Sequence, residues 1–462
     1  MDQVTPWVKP VITPHRVGVM NKFGSVRAQY SMPDVDGVDI QQLIQEYGSP
    51  LFILSEKTLR ENARRLRRAF ATRWPVVRHG WSYKTNYLGA VCNILHQEGS
   101  WAEVVSEFEY CKARKLGVPG SRIIFNGPLK SARILEQAIQ EGAIIHIDHL
   151  DELYTIDQIA ARLKKKVPVG IRLNFDTGYT DPWSRFGFNI ESGAAQSAAD
   201  RICASPWLKL TGLHSHIGTF VLDVRAYAAQ VRIMCEFMNE VERNPGCVIE
   251  YLDIGGGFAS RNALQGIYLP PEQVVPAIDQ YAEAIVEALN NGTRGRAASG
   301  KPLPALILEC GRAMVDDAEV LITSVAGGKR LPDGRRASIL DAGVNLLFTA
   351  YWYNHDVRPV RALDGVAEDT VLYGPMCMNI DVIRSSVMLP PLNVGDALVV
   401  RNVGAYNNTQ WMQFIQYRPA IVMVKQDGGV EVVRKAESLD TMDQLEQVPE
   451  SLRTPFPKGL PE

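Results

Sequence analysis

The chain has 462 residues, 46% of them hydrophobic and 22% charged, with 49 Lys and Arg against 51 Asp and Glu for a formal net charge of −2. So even a balance leaves no basic excess to hold nucleic acid or anionic lipid, while the length allows up to about three domains and a large core. No apolar stretch reaches the roughly 18 residues a membrane span needs, and the opening MDQVTPWVKPVITPHRVG lacks a signal-peptide core; seven cysteines, an odd number without a CxxC pair, fit a reduced cytoplasm.

In chain order, residues 1–50 hold only short β-prone pieces, RVGVM and a DGVDI turn, and are expected to join a β-rich domain. From 51 to 324, short apolar or alternating runs recur at 76–84, 101–105, 122–126, 143–148, 167–174, 208–216, 248–254 and 305–309. Eight is the number that closes a barrel. Helical spacing fills the intervals, as in SEKTLRENARRLRRAF, where Leu59, Ala63, Leu66 and Phe70 fall on one face and basic residues on the other. Strand alternating with helix predicts an α/β fold, a (β/α)8 TIM-like barrel over 51–324. Residues 325–462 read differently: ASILDAG, TVLYG, DALVVRNVG, AIVMVKQDG and VEVVRK are β-rich runs divided by Gly, Pro and Asp. They predict a C-terminal β domain, barrel or sandwich, to which residues 1–50 also contribute.

The expected barrel strands end in polar residues: Lys84, Glu103, Asn126, His146 and Asp148, Arg172 and Asn174, His214 and His216, Asp253, and Glu309 followed by Arg312. Charges gathered at one barrel mouth call for a ligand. A lone lysine at a strand end is commonly a snorkelling side chain, and Gly255-Gly256-Gly257 alone is commonly a tight turn. Together they change meaning: a lysine, a glycine cradle with Thr219 and Arg312 for a phosphate, and an acid on the opposing strand suit pyridoxal 5'-phosphate.

Nine motifs in order carry a family likeness: SYKTN (82–86), EVVSEFE (103–109), SRFGF (184–188), GLHSHIGT (212–219), DIGGGF (253–258), ECGR (309–312), DAGVN (341–345), GPMC (374–377) and GAY (404–406). The chain resembles the fold-type III pyridoxal-phosphate decarboxylases, the group of diaminopimelate and eukaryotic-type ornithine decarboxylases. The resemblance implies a Schiff base on Lys84, His216 stacked on the cofactor face and Glu309 at the pyridine nitrogen. It also implies a phosphate site of Thr219, the three glycines, Arg312 and Tyr406. It further implies a homodimer with shared sites, in which Cys377, with Asp381 beside it, reaches the neighbouring barrel as a candidate proton donor. A carboxylate at the pyridine nitrogen keeps that nitrogen protonated and favours decarboxylation of an amino acid through a quinonoid. A racemase or epimerase on the same fold, and an inactive regulatory homologue, are the other readings.

Two positions depart from the diaminopimelate enzymes. Where those carry an arginine and then a tyrosine that grip the far end of the substrate, this chain has Thr349 and Tyr353; where a glutamate follows the cysteine, it has Met378. The loss of a bidentate carboxylate clamp and of an ammonium partner predicts a substrate, free or conjugated, other than diaminopimelate.

Overall fold

Ser55 closes a strand, β1 (Leu51–Ser55), and caps the helix after it, α1 (Glu56–Ala71), its Oγ accepting the Thr58 N–H at 3.0 Å. The helix buries Leu59, Ala63, Leu66 and Phe70, the positions its 3.6-residue period puts on one side. Buried Asn62 shares that side; its Nδ2 donates to the Met314 carbonyl and to Asp317. The computed structural model describes residues 31–453 apart from Pro245 and Ala297. RVGVM lies outside the described residues.

Eight parallel strands follow: β2 (Val77–Ser82), β3 (Trp101–Val104), β4 (Ile123–Phe125), β5 (Ile144–Ile147), β6 (Val167–Asn174), β7 (Leu208–Ser215), β8 (Tyr251–Asp253) and β9 (Ala305–Leu308). Each pairs with the next, and β9 returns to β2 through Leu306↔Val77, so the sheet closes. Each falls within one of the eight runs expected from the sequence. Parallel strands are covered by helices outside and side chains inside, so they read as short apolar runs rather than alternation. The fold is a TIM-like barrel with a separate β-rich sheet domain.

The β domain is built from β10 (Glu319–Arg330), β11 (Arg336–Leu340), β12 (Val357–Pro359), β13 (Glu368–Tyr373), β14 (Val382–Leu389), β15 (Ala397–Val400), β16 (Ile421–Val424) and β17 (Val430–Arg434). Its main sheet runs β14-β13-β11-β10-β1-β16-β17, and β15 pairs with β10 and β12. Here the structure differs from the boundary at residue 51. Strand β1 lies between β10 and β16, with Leu54 opposite Glu319 and Leu51 opposite Ile322. Residues 51–55 and 319–324 thus belong to the β domain, and the barrel begins with α1. Leu51 to Ser55 are buried without alternation, a pattern equally at home in a barrel strand, so apolarity could not separate the two. Val35, Ile40 and Leu43 pack with Leu51, Ile53, Val399 and Val422 in a core of their own.

Among the described residues no helix is long and apolar enough to cross a membrane.

Candidate active site

Of the polar strand ends, Lys84, Glu103, Asn126, Arg172, His214, His216, Glu309 and Arg312 line one cavity of about 520 Å³, large enough for a cofactor with a small substrate, whereas His146, Asp148, Asn174 and Asp253 do not line it. Lys84 enters from the turn after β2 and Glu103 from β3. The parallel register sets Ser82 opposite Glu103, so a lysine two residues beyond Ser82 meets that acid. Lys84 Nζ lies 3.0 Å from Glu103 Oε1 and 2.8 Å from Oε2, and Ser82 Oγ donates to Oε2 at 2.5 Å. Burial alone would lower the Lys84 ammonium's pKa, but Glu103, Glu309 and Tyr406 more than reverse that and raise it.

Glu309 follows β9 across the same cavity. Burial alone would raise its carboxyl, yet His214 and Lys84 beside it hold it well below its ordinary range. Asp253, ending β8, moves the opposite way, pushed up by burial and then by the charge of Glu309. His216 lies just beyond β7 with Trp183 edge-on to its ring at 5.1 Å. Burial, then the charges of Arg172 and Lys84, lower its pKa to about 3. The ring is therefore neutral and offers a flat face.

The glycine run forms the cradle. A Cβ on Gly256 would stand 2.5 Å from the Glu309 carbonyl oxygen, and one on Gly257, at φ +94°, 2.3 Å from that of Gly218. Backbone fills the space a side chain would need. Arg312 faces the Tyr353 and Tyr406 rings at 4.7 and 4.9 Å, and among the described residues its buried Nε and Nη1 have no hydrogen-bond partner, Asp316 Oδ2 lying 3.8 Å from Nη1. Gly256, Gly257, Thr219, Arg312 and Tyr406 surround one recess together with Lys84, His216 and Glu309; Gly255, at φ +68°, turns the chain into it. Guanidinium nitrogens with free hydrogen-bonding capacity beside a side-chain-free backbone suit a phosphate, so pyridoxal phosphate fits these residues.

Thr349 and Tyr353 line the larger cavity. The Thr349 hydroxyl is engaged within the wall, 2.9 Å from Asn407 Oδ1 and 2.9 Å from His355 Nε2. Cys377, Met378 and Asp381 do not line it. Cys377 is exposed. Asp381 is a brace, accepting the Val344 and Met376 N–H groups at 2.8 Å each and packing against Gly343 and Gly374. It ties DAGVN to GPMC without entering the cavity of its own chain. Trp352, expected near the far end of the substrate, lines the cavity too, and so do Trp183, Phe220, Leu264 and Gln410, which the sequence did not mark. Trp183 borders the SRFGF motif, the one signal that pointed there.

The family model for the pyridoxal-binding domain of pyridoxal-dependent decarboxylases matches residues 56–316. The diaminopimelate decarboxylase of Methanothermobacter thermautotrophicus is 30% identical over 431 residues, 90% of this chain and 96% of its own. That of Bacillus subtilis is 26% identical, with 90% and 96% covered. The crystal structure of diaminopimelate decarboxylase from M. jannaschii superposes with a TM-score of 0.82 at 26% identity, covering 91% of this chain and 96% of that one. These relatives overturn the expectation of a substrate other than diaminopimelate. Likeness to enzymes of that name extends over nine tenths of the chain, whereas the expectation rested on two positions. One of these, Thr349, sits in a cavity whose wall also carries the cationic Arg172 and the amide of Gln410. The relatives named are decarboxylases, which gives the racemase and inactive readings no support.

Proposed function

The chain belongs to the pyridoxal-dependent decarboxylases, enzymes that use pyridoxal phosphate as carboxy-lyases, and on that premise we propose that it removes a carboxylate from a diamino acid of the diaminopimelate kind. The observation that carries the reading is the meeting of Lys84, Glu309 and the Gly256–Gly257 recess in one cavity. Lys84 would supply the amine that holds the cofactor, Glu309 would accept from its pyridine nitrogen, and the neutral ring of His216 would pack on it. Gly255, Gly256, Gly257, Thr219, Arg312 and Tyr406 would hold its phosphate. When bound, the cofactor draws off the electron pair released as the bond from Cα to the carboxylate breaks.

The protein's own part is positioning and proton supply. Phe220, Leu264 and Trp352 give the cavity an apolar wall that strips water from a carboxylate held against it and favours its departure as carbon dioxide. Tyr353 and Thr349 face the substrate from the β domain. Once carbon dioxide has left, a proton must reach Cα; Lys84 Nζ is one source, and the Cys377 thiol is the other. Cys377 is exposed and outside the cavity of its own chain, which supports its serving the barrel of a second copy, with Asp381 bracing its loop and Met378 next to it in sequence. The working unit is accordingly a homodimer with two shared sites.

The test is incubation of the cofactor-loaded protein with meso-diaminopimelate, lysine and ornithine, with carbon dioxide release and product mass measured. Release from diaminopimelate with formation of lysine is expected. No release from any of the three would overturn the proposal.

A further inference from the structure

Beneath Glu309 the barrel interior holds a file of buried polar side chains that the roles above leave unused. Asn126, just past β4, brings Nδ2 to 2.5 Å from Glu309 Oε1 and 3.1 Å from Glu103 Oε1. Two carboxylate acceptors fix the amide, because the reverse orientation would set its oxygen against both. Asn126 Oδ1 then faces His146 Nδ1 at 2.6 Å, so this nitrogen carries the hydrogen, and His146 Nε2 accepts from Tyr251 Oη at 3.1 Å. Burial, and next the neighbouring His214, hold His146 well below its ordinary pKa. It is therefore a neutral ring in a single tautomer.

Two glycines make the space. Gly170 on β6 lies opposite His146 on β5 and Gly212 on β7. A Cβ on Gly170 would approach both His146 Cδ2 and Tyr251 Oη to 2.6 Å, and one on Gly212 would reach 1.9 Å from Tyr251 Cζ. The bare Gly170 backbone also lets His146 stack on His214, with ring centroids 4.7 Å apart and planes 8° from parallel.

We propose that Tyr251 and His146 are positioning residues that act through Asn126 on Glu309. The donors run one way, from Tyr251 O–H to His146, from His146 N–H to Asn126, and from Asn126 N–H to Glu309. Each bond polarises the next, and the last keeps the buried carboxylate ionised. An ionised Glu309 would leave the proton on the cofactor nitrogen; with the file weakened the carboxylate would grow more basic and draw that proton to itself. The inference rests on Glu309 serving as partner of the pyridine nitrogen.

The test is nuclear magnetic resonance of the holoenzyme loaded with pyridoxal phosphate carrying ¹⁵N in its ring, with no substrate present. Tyr251→Phe deletes one hydroxyl and His146→Leu deletes the donor to Asn126; both should move the nitrogen signal toward unprotonated pyridine. His146→Gln, which can donate again, should bring it partly back. With the best substrate, kcat should fall about tenfold in the first two variants while KM changes little. An unmoved nitrogen signal in folded, cofactor-loaded Tyr251→Phe and His146→Leu overturns the proposal, and Tyr251→Phe decides alone if the leucine variant does not fold. A wild-type signal already at the unprotonated position would overturn the role of Glu309, and with it this proposal. Neither outcome depends on carbon dioxide release, so failure of the decarboxylase reading is seen separately.

Discussion

Lys84 and Glu103 form a two-pronged ion pair, both carboxylate oxygens lying within 3.0 Å of Nζ. The acid that holds the lysine protonated also holds back its use as a nucleophile, since only the neutral amine attacks an aldehyde. Glu103→Gln should lower the Lys84 pKa and speed cofactor capture by the apoprotein near neutral pH. Absorbance after rapid mixing measures it, and capture that is unchanged or slower would contradict the role given to the pair. For stability the sign is the usual one for a lysine raised by its partner. The contribution is whole below the unfolded value of about 10.4 and is lost as pH climbs through the higher folded value.

Glu319 makes the opposite prediction. It opens β10 at the junction of the two domains, is fully buried, and accepts from Asn408 Nδ2 at 2.7 Å, yet no cation pairs with it in the described residues. Burial pushes its carboxyl up to about 8. A carboxyl raised in the folded state stabilises fully below its unfolded value, and that stability is lost as pH rises through the folded one. The melting temperature should therefore decline between about pH 5 and 8, and Glu319→Gln, neutral at every pH, should flatten that decline. Parallel melting curves for the two proteins over that range would contradict the assignment.

Gly257→Ala tests the cradle. The left-handed φ and the 2.3 Å approach to the Gly218 carbonyl oxygen leave no room for a methyl group, so the backbone must shift where the phosphate would be held. Affinity for pyridoxal phosphate should fall by at least roughly tenfold, the equivalent of one or two lost hydrogen bonds to a charged group. Equilibrium dialysis measures it. Wild-type affinity would show that the phosphate lies elsewhere.

How much of this was legible beforehand follows from where each residue sits. Lys84, His216 and Glu309 close apolar runs, so their convergence could be read once eight strands were counted. The stack of His146 on His214 could not, because it joins alternate strands and depends on a glycine in the strand between them. Leu51 to Ser55 misled because burial on both faces removes the alternation that would tell a β-domain strand from a barrel strand. Gln410 and Trp183 lie in irregular segments, where no period marks a side chain as facing a cavity. The substrate expectation failed for a different reason: two changed positions were weighed without the cavity that surrounds one of them.

The proposed shared site makes the last prediction. Cys377 is exposed and stands apart from the cavity that contains Lys84, so in a head-to-tail pair each site would draw its lysine from one chain and its thiol from the other. Lys84→Ala and Cys377→Ala should each be inactive or nearly so as homodimers. After dissociation and reassociation of an equal mixture, about half the dimers are mixed. Each mixed dimer has one site carrying both defects and one carrying neither, so roughly a quarter of wild-type activity should return. Sedimentation or a size difference between tagged chains confirms that mixed dimers form. If they form and no activity returns, Cys377 does not act across the interface. If Cys377→Ala alone keeps most of its activity, the proton reaches Cα from Lys84, and the thiol has no part in the chemistry.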